Sequence, residues 1–201
     1  MRAHLGGSSR QSLLAARTAL DAAVKGVDAQ AASSLSAELF FIANVLGSNI
    51  SVRRALTDPS RDAQAKGAFI KDLLASKVGA AALGLLTEIS ALRWSGAKDF
   101  VQVIEQLAIE AEASAANISG ELDRVEDEVF TAATAFAGSS ELRKAVTSDA
   151  TNAKAALVAE VLKNASSSTV KLVSQMVNAW RGRSIEAAFA DYQWALAARR
   201  N

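Results

Sequence analysis

The sequence contains no cysteine, one proline, and one histidine, His4. Without cysteine the chain forms no disulfide, no thiolate metal site and no thiol nucleophile. A lone histidine in a terminal segment is better interpreted as a solvated tail residue than as a metal ligand or a general base. We therefore expect no catalytic site, no bound metal and no cofactor, and we predict that the chain is not an enzyme.

An excess of charge of one sign is also lacking, because 22 basic side chains face 21 acidic ones. No field is available to draw a phosphate backbone or an anionic bilayer onto the whole surface. No uninterrupted apolar run approaches the ~20 residues that span a bilayer, and the N-terminus has no signal-peptide pattern. These absences predict a cytoplasmic chain whose partners are proteins, with no nucleic acid bound and no direct membrane insertion.

Three groups of residues could carry a binding function, and each has a plainer structural explanation. The acidic cluster at the start of a helix fits the positive end of the helix dipole better than a Mg²⁺ or Ca²⁺ site. The recurring basic groups could hold phosphate but are more typical of solvated helix faces, and the tryptophans favour bundle closure over base stacking. The acidic residues are Glu121, Asp123, Glu126, Asp127 and Glu128; the basic ones Arg53, Arg54, Arg143, Lys144, Arg181 and Arg183; the tryptophans Trp94, Trp180 and Trp194.

Half of the residues are hydrophobic, and alanine supplies most of the excess. Alanine favours helices, whereas proline and glycine, which helices exclude, are scarce. Apolar residues recur at helical spacing and no stretch alternates as a strand does, so we predict an all-α fold. The predicted helices cover residues 10–25, 29–46, 50–56, 61–76, 80–94 and 97–116, and then 121–137, 141–146, 152–163, 168–180 and 184–200.

The stretch from Glu38 to Pro59, ELFFIANVLGSNISVRRALTDP, recurs more loosely from Glu128 to Asp149 as EVFTAATAFAGSSELRKAVTSD. A shift of 90 positions aligns the two, and a shift of 88 aligns the residues that follow. A gap that falls in a loop is what two copies of one fold would produce, and self-similarity of this kind indicates a repeated unit. We interpret the chain as a duplication.

The first and fifth predicted helices carry narrow apolar stripes that suggest a groove for a third, amphipathic helix. Both stripes are equally compatible with an ordinary core. The residues concerned are Leu13, Ala16, Leu20 and Val24 on the first helix and Leu83, Leu86 and Ile89 on the fifth.

The order of motifs over nearly the whole chain resembles a known family. A short helix ending in RRALTDP at residues 53–59 is followed by KGAFIKDLLASKV at 66–78 and by LLTEISALRWSGAKDFVQVIEQL at 85–107. This order resembles the delta subunit of F-type ATP synthase, the family of the oligomycin-sensitivity-conferring protein, and in particular its actinobacterial form with a duplicated helical domain. KLV at 171–173 and WRGRS at 180–184 follow the pattern of the second copy.

The resemblance implies a six-helix bundle over residues 1–118 and a second, related helical bundle over 119–201. It implies a non-catalytic stator subunit that binds the N-terminal helices of the alpha subunits and the b-type stalk subunits, at the cytoplasmic face of the plasma membrane, and resists rotary torque. The groove residues would be Leu13, Ala16, Leu20, Leu86 and Ile89. Members of the family continue into a region with a small sheet, which this sequence is expected to lack.

Two other functions remain open at this point. One is an all-α, ligand-responsive transcription regulator, although the first fifty residues lack the basic character and compact spacing of a helix-turn-helix. The other is a generic helical-repeat adaptor that binds proteins.

Overall fold

The computed structural model describes residues 5–148, 151–179 and 184–200, and these ranges contain eleven α-helices and no strand. The all-α prediction is confirmed for this part of the chain. His4, Trp180, Arg181 and Arg183 lie outside the described residues. The helices are α1 (Gly7–Val24), α2 (Ala29–Ser48), α3 (Ile50–Thr57), α4 (Ala63–Leu74), α5 (Ala80–Ser90), α6 (Ala97–Ile118), α7 (Leu122–Gly138), α8 (Ser140–Thr147), α9 (Thr151–Val161), α10 (Ser167–Asn178) and α11 (Ile185–Ala197).

Local side-chain chemistry explains where many of these helices begin. At five of them a side-chain oxygen just before the first turn accepts a hydrogen bond from a backbone N–H inside it, which satisfies a donor that the helix cannot pair. Glycine ends two segments in a left-handed conformation, Gly26 after α1 and Gly120 after α6, with φ of 74° and 75°. The five capping residues are Asp28, Asp62, Ser139, Ser166 and Ser184.

The chain divides into two compact units, residues 1–111 and 112–201, so that the division falls within α6. In the first unit α5 is central, because α1, α2 and α4 all pack against it, and α3 packs against α2. Leu39, Ile42, Leu46, Leu86 and Phe100 are fully buried in this unit. Burying each such side chain stabilises the fold by roughly 1.5–3 kcal/mol before entropy is counted.

In the second unit α7 is central, because α8, α10 and α11 pack against it, and α9 bridges α8 and α10. The rings of Phe136 on α7 and Phe189 on α11 lie 5.5 Å apart in a tilted arrangement. This geometry is one that aromatic pairs favour. Tyr192, also on α11, is buried as well.

Paired hydrogen bonds at equivalent positions support the duplication hypothesis. Glu38 on α2 accepts from the backbone N–H of Gly79, which caps α5, at 3.0 Å. Glu128, 90 positions later on α7, accepts from the backbone N–H of Ser166, which caps α10, at 2.9 Å.

A second matched pair closes the corner after each of these helices. Arg53 donates to the carbonyl of Gly47 at 3.3 Å, and Arg143 donates to the carbonyl of Ala137 at 2.8 Å. Both arginines thus cap the C-terminal end of the preceding helix, α2 or α7. The recurring basic residues in the repeated stretch therefore have a structural role at its corner.

Helix α2 is long and apolar enough to cross a membrane if only length and composition are considered. Core helices of other folds pass the same test, and here Leu35, Leu39, Ile42 and Leu46 are buried within the first unit. The helix also carries the partly buried Glu38, whose carboxylate is engaged with α5.

Candidate interaction surface on helices α1 and α5

Helix α1 is held firmly in the first unit by polar contacts at its N-terminal end. Ser9 and Ser95 exchange hydrogen bonds, each backbone N–H donating to the other hydroxyl, at 3.3 and 2.9 Å. The hydroxyl of Ser12 donates to the carbonyl of Arg93 at 2.5 Å. These contacts fix α1 to the segment that follows α5.

An ion pair fixes a second face of α1. Arg17 approaches Glu110 of α6 with two of its nitrogens, Nη2 at 2.5 Å and Nε at 2.9 Å from the same carboxylate oxygen. The Glu110 side chain is almost fully buried and also accepts from Gln106. A two-pronged guanidinium–carboxylate contact of this kind fixes geometry as well as supplying energy.

The structure brings together the five residues predicted to form the groove. Leu13, Ala16 and Leu20 lie on the buried face of α1, and Leu86 and Ile89 lie on the buried face of α5, against which α1 packs. The last four of these are 0% exposed. All five are therefore buried within the first unit, and the groove that they were predicted to line stays a prediction.

Exposed small residues also lie on the outer sides of both helices, beside larger ones such as Leu14 of α1. On α1, Ala15 and Ala22 are exposed and seven residues apart, which places them on one face of the helix. On α5, Ala81 and Gly84 are exposed, and a Cβ built on Gly84 would meet no atom within 4 Å. Small residues on two packed helices leave a shallow surface into which a third helix can lie.

The acidic cluster lies in the first turns of α7. Glu121 is the N-terminal cap position of α7, and Asp123 lies in the first turn. Arg200 pairs with both Asp123, at 2.8 Å, and Glu126. Within the described ranges no group of three or more acidic or histidine side chains is placed to hold a metal ion.

The folded chain strongly alters the environment of the Glu128 carboxylate. Burial raises the pKa of this carboxyl, but hydrogen bonds from Thr169, from the hydroxyl and N–H of Ser166 and from Arg124 outweigh that effect and lower the pKa to about 2. The oxygens of Thr169 and Ser166 lie 2.7 Å from Glu128 Oε2. Sequence reasoning missed this role, because only the folded chain brings α7 and α10 together.

The described residues thus form an all-α chain of two compact units. No protein-family model matches the sequence. Curated proteins do: the ATP synthase subunit delta of Streptomyces coelicolor is 38% identical over 198 residues, covering 97% of this chain and 72% of that protein.

Two further relatives have the same name. The ATP synthase subunit delta of Streptomyces avermitilis is 38% identical over 205 residues and 74% of its length, and that of Kineococcus radiotolerans is 34% identical over 197 residues and 71% of its length. The chain belongs to the ATP synthase delta subunit family. The transcription-regulator and generic-adaptor alternatives receive no support from these relatives.

Proposed function

We propose that this chain is a non-catalytic stator subunit in the peripheral stalk of a proton-translocating F-type ATP synthase. It connects the catalytic head to the stalk and resists the torque of rotation. Its partners are the N-termini of the alpha subunits and the b-type stalk subunits. It lies at the cytoplasmic face of the plasma membrane and is held there through the complex, as a peripheral protein.

The observation that carries this proposal is the similarity to ATP synthase delta subunits over 97% of the chain. The fold is suited to the role, because a part that resists torque needs elements that do not slide past one another. Closely packed cores have low compressibility and transmit strain. The buried α1–α5 contact, together with the Arg17–Glu110 pair, gives the first unit this character.

We propose the solvent-exposed sides of α1 and α5 as the docking surface for an alpha-subunit helix. Leu13, Ala16, Leu20, Leu86 and Ile89 form its floor by holding the two helices together. Its outer positions, among them Ala15, Ala22, Ala81 and Gly84, leave room for an incoming helix.

The test is titration calorimetry of the full chain with a peptide that copies the alpha-subunit N-terminus. Ala15→Glu and Gly84→Gln place bulk on the docking surface, and each is expected to weaken binding at least about tenfold, equivalent to about 1.4 kcal/mol. Ala37→Glu is the matched control, because Ala37 is exposed on a different helix, α2, and it should bind like the parent chain.

Two outcomes would count against the proposal at different levels. Binding unchanged by Ala15→Glu and Gly84→Gln, with a normal helical circular dichroism spectrum, removes the α1–α5 surface as the docking site. No binding of the parent chain to alpha-subunit peptides, and no recovery of head subunits with the chain from the membrane fraction, removes the stator function itself.

A further inference from the structure

A cavity in the first unit has a lining that the stator function does not explain. It lies where the start of α1, the turn between α3 and α4 and the end of α5 meet, and its volume is about 360 Å³. This size is within the range of small-molecule sites. Three cationic residues line it and no acidic residue does; its lining includes Arg61, Lys66, Arg93, Ser8, Thr57 and Trp94.

Lys66 is the unusual member of this lining, because it is only 5% exposed. Its ammonium donates to the carbonyl of Ser90 at 3.0 Å. In the part of the chain that the structure describes, Lys66 forms no ion pair with a carboxylate. Lysine is almost never buried to this extent without a paired charge. Burial lowers the pKa of Lys66, and the charge of Asp58 acts in the opposite direction.

Arg61 and Arg93 bring two more cations to the cavity from separate segments of the chain. Both are exposed, and among the described residues neither forms an ion pair. The negative charge that acts on Arg61 and Lys66 is Asp58, whose carboxylate accepts hydrogen bonds from the N–H and hydroxyl of Ser60, at 2.9 and 2.7 Å. One carboxylate that acts on two of the three cations leaves an excess of positive charge in the lining.

A purely structural role explains only part of this arrangement. Lys66 caps the last turn of α5 through Ser90, and a cation there is favoured by the helix dipole. That bond uses one of the three donors of the ammonium. It does not account for two arginines from other segments around the same cavity.

We propose that this cavity binds the phosphate group of a small anion, with Lys66 in its wall and Arg61 and Arg93 at its rim. The planar guanidinium group matches phosphate oxygens in a two-pronged contact, and a nearby ammonium adds a point charge. Ser8 adds a hydroxyl in the first turn of α1, whose N-terminal end favours negative charge. Trp94, whose ring packs on Phe100 with centroids 5.1 Å apart, forms an apolar wall.

The experiment is titration calorimetry of the full chain at constant ionic strength with two probes, inorganic phosphate and ADP. Constant ionic strength is needed because salt screens exposed charges. Arg61→Gln and Arg93→Gln are each expected to weaken binding at least about tenfold, because each removes a charge-assisted hydrogen bond to the anion. Lys77→Gln is the matched control, because Lys77 is exposed and does not line the cavity, and binding should change less than twofold.

Saturable binding of inorganic phosphate supports a site that recognises phosphate alone. Saturable binding of ADP without binding of inorganic phosphate supports a site that also needs the rest of a nucleotide. The absence of saturable binding for both probes overturns the proposal. An equal loss of affinity in Lys77→Gln also overturns the proposal, because binding would then reflect non-specific electrostatic attraction to any surface cation. The two arginines carry the test since, unlike Lys66, they are exposed and their replacement spares the core. The measurement uses the isolated chain, so its result is independent of the stator function.

Discussion

At the residue scale, Glu38 and Glu128, which lie at matching positions of the two similar stretches, make the same kind of hydrogen bond with different partners. Both lie on the helix that precedes a short corner helix, and both accept from the residue that caps a later helix. The partner of Glu38 is Gly79, on which a Cβ would lie 3.2 Å from the carboxylate oxygen. The partner of Glu128 is Ser166, whose hydroxyl adds a further hydrogen bond.

We predict that Glu128→Gln lowers the free energy of unfolding at pH 7 by roughly 2 kcal/mol, because it weakens charge-assisted hydrogen bonds to a group that is mostly buried. The pKa in the folded state, about 2, lies below the value of 4.5 that applies to an unfolded glutamate. The stabilisation is therefore complete above pH 4.5 and is lost as the pH falls towards 2. Urea unfolding of the parent chain and the variant across this range measures both effects.

Glu160→Gln is the control for this substitution, because Glu160 is exposed on α9. It should change the free energy of unfolding by less than about 0.5 kcal/mol, as surface substitutions usually do. If Glu128→Gln were as stable as the parent chain at pH 7, the hydrogen bonds from Ser166 and Thr169 would contribute no net stability.

At the element scale, α1 and α5 depend on each other more than the apolar stripes alone imply. Ile89, on the helix α5 against which α1 packs, is 0% exposed. We predict that Ile89→Asp destabilises the chain by roughly 3–5 kcal/mol, because it leaves an unpaired charge in the core. Thermal unfolding followed by circular dichroism measures this, and Glu88→Asp, at the exposed neighbouring position, should leave the midpoint almost unchanged.

A small effect of Ile89→Asp on the unfolding midpoint would mean that α5 can rotate or that water reaches its inner face. In that case the floor of the docking surface would be adaptable, and a fixed groove would no longer describe it.

Most helices could be predicted from the sequence, since apolar periodicity and capping residues act locally. The boundaries differed where tertiary contacts decide them. The first helix was predicted to begin at residue 10, yet α1 begins at Gly7, and Ser9 within it bonds to Ser95. The second helix was predicted to end at residue 46, but α2 continues to Ser48.

The candidate surface could be predicted only in outline. Periodicity identified the apolar stripe on α1, and the structure buries Leu13 and Ala16 in the first unit, where α1 packs against α5. It could not identify the exposed small residues Ala15 and Gly84, because small surface residues give no periodic signal. The proposed phosphate site could not be predicted from the sequence either, because Arg61 and Arg93 line one cavity only in the folded chain.

At the scale of the whole molecule, α6 contributes to both units, and residues two positions apart in it serve different ones. Glu110 pairs with Arg17 in the first unit. Glu112, whose side chain is 2% exposed, pairs with Lys171 of α10 at 2.8 Å and accepts from Ser168 at 2.7 Å in the second unit. If the stretch beginning at Glu128 is a second copy, it has no counterpart to α1 of its own, and the last turns of α6 supply a helix beside α10.

This arrangement predicts that the second unit needs the end of α6 in order to be stable. A fragment of residues 112–201 should unfold at a higher temperature than one of 119–201, because the shorter fragment lacks the carboxylate that engages Ser168 and Lys171. For a fragment of this size, each 1 kcal/mol shifts the midpoint by roughly 4–8 °C. Calorimetry of both fragments, and of 112–201 with Glu112→Gln, separates the contribution of the Glu112 charge from that of the helical turns. The unfolding midpoint of the variant should lie between those of the two fragments. Equal midpoints for the three would place the boundary of the second unit at residue 119 and leave α6 as part of the first unit alone.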